Sequence, residues 1–480
     1  MQTWTILKNM IQKRKYRLLP FRFNRIKGRE VVVSEVGDFL IVPFGTVSQI
    51  LDGSISKETD LYKDLLAKYI ICEDYNKYLQ DVLATRLRTK KSFMDHFTAL
   101  HIFVMTLRCN QKCIYCQALS QEKSCTHKDM SIDDLDCAIR LMLQSPNPNI
   151  TMEFQGGESS LVPKLIEHAV TETIRRNEAI GKDIKFVICT NLYKLDDELL
   201  DLCNRYNIFI SSSLDGPEFL HDHNRGHQGS YEHFCSNLKK ARAVLGQNRI
   251  SPLMTTSEMS LAYPHEIIDS YRNLGFHRIF LRPLNPYGRA TEHNWEDYNE
   301  RFLVFYKEAL EYIIQLNRKG IFFAEDFTTM LMKKILTPFP IGFVDLQSPA
   351  GIINNVIVYN YDGYVYCSDE SRMMAEAGDY TFRLGKVSDE YSTLFYGKKA
   401  QMLSKIWATE YIAGCSDCAY QQYCGADPVR NYSTQGDWYG HRPTGLFCKF
   451  HKAVFDHLFT LIDERGEEVL PIFRTWVYGN

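Results

Sequence analysis

Three cysteines, Cys109, Cys113 and Cys116, fall within eight residues directly after the apolar run 101–106. A strand that opens into a loop of three thiols points to a fold that keeps its chemistry at strand ends. The flanking pattern agrees. From residue 100 to about 288, runs that read as strands (101–106, 150–154, 185–190, 208–213, 252–256 and 278–282) alternate with amphipathic stretches. Such alternation predicts βα units around a parallel sheet. One helix is predicted to start at Ser131, with Asp134 three residues on as a capping-box variant. Six repeats predict an α/β fold, a partial (β/α)6 barrel with the thiol loop over its C-terminal mouth.

Three thiolates are one short of a closed tetrahedral set. On a cubane iron-sulfur cluster they leave one iron open to an exogenous ligand. A zinc ion with water in the fourth position is the physical rival. The x3-then-x2 spacing, with Tyr115 just before the last cysteine, resembles the radical S-adenosylmethionine (SAM) superfamily. That resemblance implies a 4Fe-4S cluster on the three thiols and SAM as cofactor. One electron, delivered by an external donor, then yields methionine and a 5′-deoxyadenosyl radical that takes hydrogen from the substrate. It continues along the next strand ends. Gln155, Gly156, Gly157 and Glu158, in FQGGES, match the family motif that holds the amino group of the SAM methionine. Ser213, in SSSLDGP, and Arg225, in HDHNRG, resemble the pair that binds the SAM carboxylate and ribose, Arg being the natural carboxylate clamp. Asn191, in CTNL, matches a looser family position and reads equally well as a turn asparagine. With Tyr115, these are the candidate cofactor-binding residues; no side chain is assigned as catalytic.

Cys415, Cys418 and Cys424, completed by Cys448, form a second group. Four soft thiolates suffice for a closed iron-sulfur cluster, with zinc again the rival. The group resembles the SPASM domain of radical SAM enzymes that modify ribosomally made peptides and proteins, which implies an auxiliary 4Fe-4S cluster. The family usually adds a further auxiliary cluster. Here Ser348 and Pro428 stand where two of its cysteines belong, and only Cys367 remains. One thiol cannot hold a cluster, so the expectation is two clusters, unlike the sulfatase maturases. The other cysteines, Cys189 among them, read as small buried hydrophobes.

The chain is expected to divide into residues 1–95, a winged-helix-like module for which the resemblance to peptide-modifying radical SAM enzymes implies peptide recognition; 96–320, the barrel; and 321–480, the SPASM-like cysteine-rich domain. In the first, strands are predicted at 21–26, 30–34 and 39–42 and helices at 58–70 and about 75–91. Its first 29 residues carry nine Lys or Arg and no acid, which suits either attraction to an acidic peptide or a solvated arm. Further on, a helix is predicted over about 294–319, a hairpin over 352–367 with an Asp362-Gly363 turn, and a closing helix with Phe450, Val454, Leu458 and Ile462 on one face.

Lys and Arg (56) nearly balance Asp and Glu (58), which argues against a protein that coats nucleic acid or an anionic membrane. No apolar run approaches the ~20 residues of a membrane span, and a cytosolic location is expected. LLPFRF, LRPLNPYGRA, YNYDGYVYCSDESRMM and CAYQQYCGADP extend the resemblance over nearly the whole chain, to the His-Xaa-Ser system radical SAM maturases. This implies as partners a His-Xaa-Ser repeat peptide with a leader and a second radical SAM protein, the leader adding a strand to the N-terminal sheet. Competing readings are a radical SAM enzyme acting on a small molecule or RNA, and a zinc-stabilised binding protein without iron.

Overall fold

The computed structural model describes residues 16–291, 294–405 and 408–479, so the start of the basic N-terminal run lies outside the described residues. Five of the expected strands run parallel in chain order: Leu100–Thr106, Asn149–Gly156, Asp183–Thr190, Phe209–Ser213 and Ile250–Leu253. Leu100–Thr106 is buried almost throughout, while in the next three strands buried positions such as Phe154, Ile188 and Ile210 alternate with half-buried ones, the two-residue period of strands packed on one face. Helices return the chain between them. Ser131 caps Ile132–Leu143 as expected, its hydroxyl accepting from the Asp134 N–H at 3.1 Å and donating to the Asp134 carboxylate at 2.7 Å.

The sixth strand is not where the sequence pattern put it. Only Arg278–Ile279 is extended, and it pairs with Ala324–Glu325 in a separate two-stranded sheet. Past it, the Leu281 N–H donates to the Glu325 carboxylate at 3.1 Å, and Pro283 has no N–H to give a ladder. A single backbone bond, Thr256 N–H to Arg282 O at 2.9 Å, is what this stretch offers the strand side. The sixth parallel strand is instead Val356–Tyr359, the first arm of the expected hairpin, laid on the other side of Leu100–Thr106. Tyr364–Tyr366 returns antiparallel to it through a turn in which Gly363 has φ +77°, and Arg383–Lys386 completes an eight-stranded sheet.

The N-terminal strands Phe21–Ile26, Arg29–Ser34 and Phe39–Pro43 form an antiparallel meander. Helices Thr46–Asp52, Asp60–Ala67 and Lys77–Lys90 follow. The central run Val31-Val32-Val33 is fully buried because the sheet has two covered faces. Val32 packs with Val47, Ile50, Tyr62 and Leu65 in a small core of the module, while Val31, Val33 and Ile26 face the main core of the protein. The long helix Leu446–Tyr478, broken at Arg465, lies against this region; Phe450, Val454, Leu458 and Ile462 are buried along it, and Phe39 meets Phe459 edge-on.

Candidate active site

A cavity of about 450 Å³ opens at the C-terminal ends of the parallel strands. Cys109, Cys113 and Cys116 all face it. Their loop is pinned from outside the cavity. Asp129 takes Nε and Nη2 of Arg108 at 2.8 and 2.6 Å and the Thr106 hydroxyl at 2.6 Å, and the Cys109 N–H donates to Gln121 O at 2.9 Å. Burial pushes the Cys109 thiol up to about 12 and raises that of Cys113, where Arg225 opposes the rise. Thiols so placed stay protonated until a cation takes the proton's place, so loading such a site releases protons.

The glycine pair explains itself by contact. A side chain on Gly156 would lie 2.0 Å from Thr106 O, and one on Gly157 2.4 Å from Arg108 O. The next N–H groups use that closeness: Gly157 donates to Thr106 O and Glu158 to Arg108 O, both at 2.8 Å. Gln155, Gly156, Gly157, Asn191, Ser213 and Arg225 join the thiols and Tyr115 on the cavity wall. Glu158 lies behind that wall, 1% exposed, its two oxygens accepting from the N–H groups of Ser160 (3.0 Å) and Asn191 (2.8 Å). In this position it ties two strand ends together. Asn191 serves as the turn asparagine, its side-chain oxygen accepting the Tyr193 N–H at 2.9 Å, and its side-chain amide donates to Asn110 on the thiol loop at 2.7 Å.

Arg225 is more constrained than a free clamp. Asp215, fully buried, accepts its Nε and Nη2 at 2.9 Å each and also the Tyr115 hydroxyl. The remaining nitrogen, Nη1, stands 3.9 Å from the Cys113 sulfur. Asp215 was not singled out in the sequence, although it sits in the quoted SSSLDGP, between Ser213 and Arg225. Two more features emerge only in three dimensions. Cys189 lines the cavity, with Sγ 3.5 Å from Glu153 Oε1, rather than serving as packing alone. On the wall formed by the C-terminal half, Asp345 and Glu370 face the cavity, with Asp427 close by. Burial, and then mutual repulsion, pushes all three carboxyls up, to about 7 for Glu370 and about 6 for Asp345 and Asp427.

Cys415, Cys418, Cys424 and Cys448 form a second locality, each partly exposed. Burial first, and then neighbouring thiols, raises the pKa of three of them, Cys448 and Cys418 acting on Cys415, Cys448 on Cys418, and Cys418 and Cys415 on Cys424. A cation opposes burial at three of them: Arg442 at Cys415, Lys452 at Cys418 and Lys334 at Cys424. Among the described residues, no three His, Cys, Asp or Glu side chains are grouped so as to hold a metal ion. By donor type both cysteine groups suit an iron-sulfur cluster or zinc: three soft thiols line the open cavity, and of the other four, three have a cation nearby. Ser348 is occupied otherwise, its hydroxyl donating to Glu410 at 2.6 Å, and Pro428 begins the helix Pro428–Gln435 behind its cap Asp427. Cys367 is fully buried.

Residues 103–269 match the Radical SAM superfamily. This stretch holds the thiol loop and five strand ends of the cavity. A serine-type anaerobic sulfatase-maturating enzyme of Bacteroides thetaiotaomicron is 25% identical over 187 residues, 37% of this chain and 44% of that enzyme. The structure titled native anSMEcpe with bound AdoMet superposes with a TM-score of 0.61 at 18% identity, over 78% of this chain and all of that one. Streptococcus suis SuiB bound to precursor peptide SuiA superposes with a TM-score of 0.51 at 11% identity, over 90% of this chain and 99% of that one. At these identities the likeness is one of fold. Among the described residues no helix is long and apolar enough to cross a membrane.

Proposed function

We propose that this chain is a radical SAM enzyme that modifies a ribosomally made peptide, and that its substrate is a His-Xaa-Ser repeat peptide. The observation that carries the reading is the convergence of Cys109, Cys113 and Cys116 with Gln155–Gly157, Asn191, Ser213 and Arg225 on one cavity at the strand ends. When bound, a 4Fe-4S cluster on the three thiols would supply the electron that cleaves SAM to a carbon radical. The chain's own residues bind and orient. Arg225 offers Nη1 toward the thiols while Asp215 fixes its other two nitrogens. Glu158 and Asn191 hold the strand ends against the thiol loop. The far wall, with Asp345 and Glu370, borders the space left for a substrate. A peptide substrate is supported by the relatives: SuiB is bound to precursor peptide SuiA, and anSMEcpe is bound to AdoMet and a Cp18Cys peptide.

Under this reading Cys415, Cys418, Cys424 and Cys448 hold an auxiliary cluster, and the N-terminal module takes the leader as an added strand. The deciding experiment is mass spectrometry of a leader-bearing His-Xaa-Ser repeat peptide after anaerobic co-expression with the enzyme. A defined mass change that requires Cys109, Cys113 and Cys116 supports the reading. An unchanged peptide, with 5′-deoxyadenosine formed from SAM all the same, would retain the radical chemistry and remove the substrate.

A further inference from the structure

The N-terminal module does not stand apart from the C-terminal cysteines. Three of its elements grip the loop that carries Cys415, Cys418 and Cys424. From the first strand of the meander, Arg22 donates to the carbonyl of Ser416, and Asn24 donates to Tyr420 at 3.0 Å and Asp456 at 2.8 Å. From the turn after the second strand, Gly37 O accepts the hydroxyl of Tyr423 at 3.0 Å. From the end of Lys77–Lys90, the Lys90 ammonium donates to Lys334 O at 3.3 Å, and Lys334 in turn donates to the carbonyls of Leu346 and, at 3.2 Å, Cys424. The neighbouring Lys91 donates to Ser348 O and pairs with Glu410 at 2.5 Å. Lys90, Lys91, Lys334 and Cys424 line one small cavity of about 40 Å³.

The charges in this pocket do not cancel. Glu410 offsets Lys91, and Asp38, which also faces Lys90, is paired with Arg86. Burial lowers Lys90 to about 8 and Lys334 to about 7, so at or below neutral pH they place up to two positive charges on the Cys424 side of the four-thiol site. A redox group bound by thiolates gains one negative charge on reduction, and nearby positive charge in a poorly solvated setting stabilises that reduced form. We propose that Lys90, from the N-terminal module, and Lys334 raise the reduction potential of the cluster held by Cys415, Cys418, Cys424 and Cys448, which makes the module part of that redox site. This rests on the reading that these cysteines hold a cluster.

The test is an EPR-monitored redox titration of the anaerobically reconstituted full chain, with Cys109, Cys113 and Cys116 replaced by Ala so that only the C-terminal signal remains. Lys334→Met and Lys90→Met are each expected to shift the potential negative, the former further. Lys77→Met, about 20 Å away at the exposed start of the same helix, is expected to leave it in place. At position 90 the order should follow charge, with Arg and Lys above Met and Met above Glu, which keeps the test valid if Lys334→Met fails to fold. Unmoved potentials, or an order unrelated to charge, with about four irons still bound in this background, overturn the proposal alone. A chain that binds no iron in this background, with about four per chain before the Ala replacements, removes both the proposal and the reading beneath it.

Discussion

Asp215 accepts Nε and Nη2 of Arg225 at 2.9 Å each, at a point where neither side chain is more than 8% exposed. The pair is closed on one edge and leaves Nη1 directed at Cys113. Removing one partner of a buried pair strands the other charge, which costs about 3–5 kcal/mol. Asp215→Ala and Arg225→Ala are each expected to lower stability by that order. The double variant should lose clearly less than the sum, as denaturant titrations in a double-mutant cycle would show. Additive losses would mean that the two side chains are not coupled.

The glycine pair predicts a loss of iron without any change of ligand. Gly156→Ala and Gly157→Ala place a carbon 2.0 and 2.4 Å from backbone oxygens of the strand and loop that lead to Cys109, so one of the two strand ends must move. Both variants should bind less than half the iron of the parent at the first site and form correspondingly less 5′-deoxyadenosine. Gly181→Ala has open space but φ +76°, and should cost only about 1 kcal/mol with iron unchanged.

Replacing Cys109, Cys113 and Cys116 together by Ala should abolish 5′-deoxyadenosine formation and lower iron from about eight to about four per chain. Cys367→Ala should leave both quantities unaltered, since this thiol is fully buried and stands alone where the usual further cluster is expected. Iron analysis with product chromatography checks both. Iron near twelve in the parent would restore the further cluster.

The three raised carboxyls predict how stability depends on pH. Glu370, Asp345 and Asp427 hold their protons in the folded chain up to about 7, 6 and 6, whereas in the unfolded chain they release them near 4. Between these limits the folded state binds more protons, so their contribution is complete below pH 4 and is lost as the pH rises toward 7. Glu370→Gln should flatten this slope and stabilise the apo chain at pH 8 by about 1–3 kcal/mol. Thermal denaturation from pH 4.5 to 8 measures it, and an unchanged slope would remove Glu370 from the titration.

Local information in the sequence determined the pieces. The thiol loop, five of the six barrel strands, the Ser131 cap, the Asp362-Gly363 turn and the three strands of the meander are each specified within about ten residues. Spacing, alternation and turn chemistry are visible at that range. The tertiary structure alone decided which pieces meet. It put Val356–Tyr359, some 250 residues along the chain, beside Leu100–Thr106, and left the expected sixth strand out of that sheet, its Leu281 N–H given to Glu325 and Pro283 without one. It closed Arg225 on Asp215 rather than leaving a free clamp, collected Asp345, Glu370 and Asp427 at one wall, and brought Lys90 to Lys334 and Cys424. A charge's partner is set by proximity in space and by the low dielectric around it, and neither is written in the order of residues.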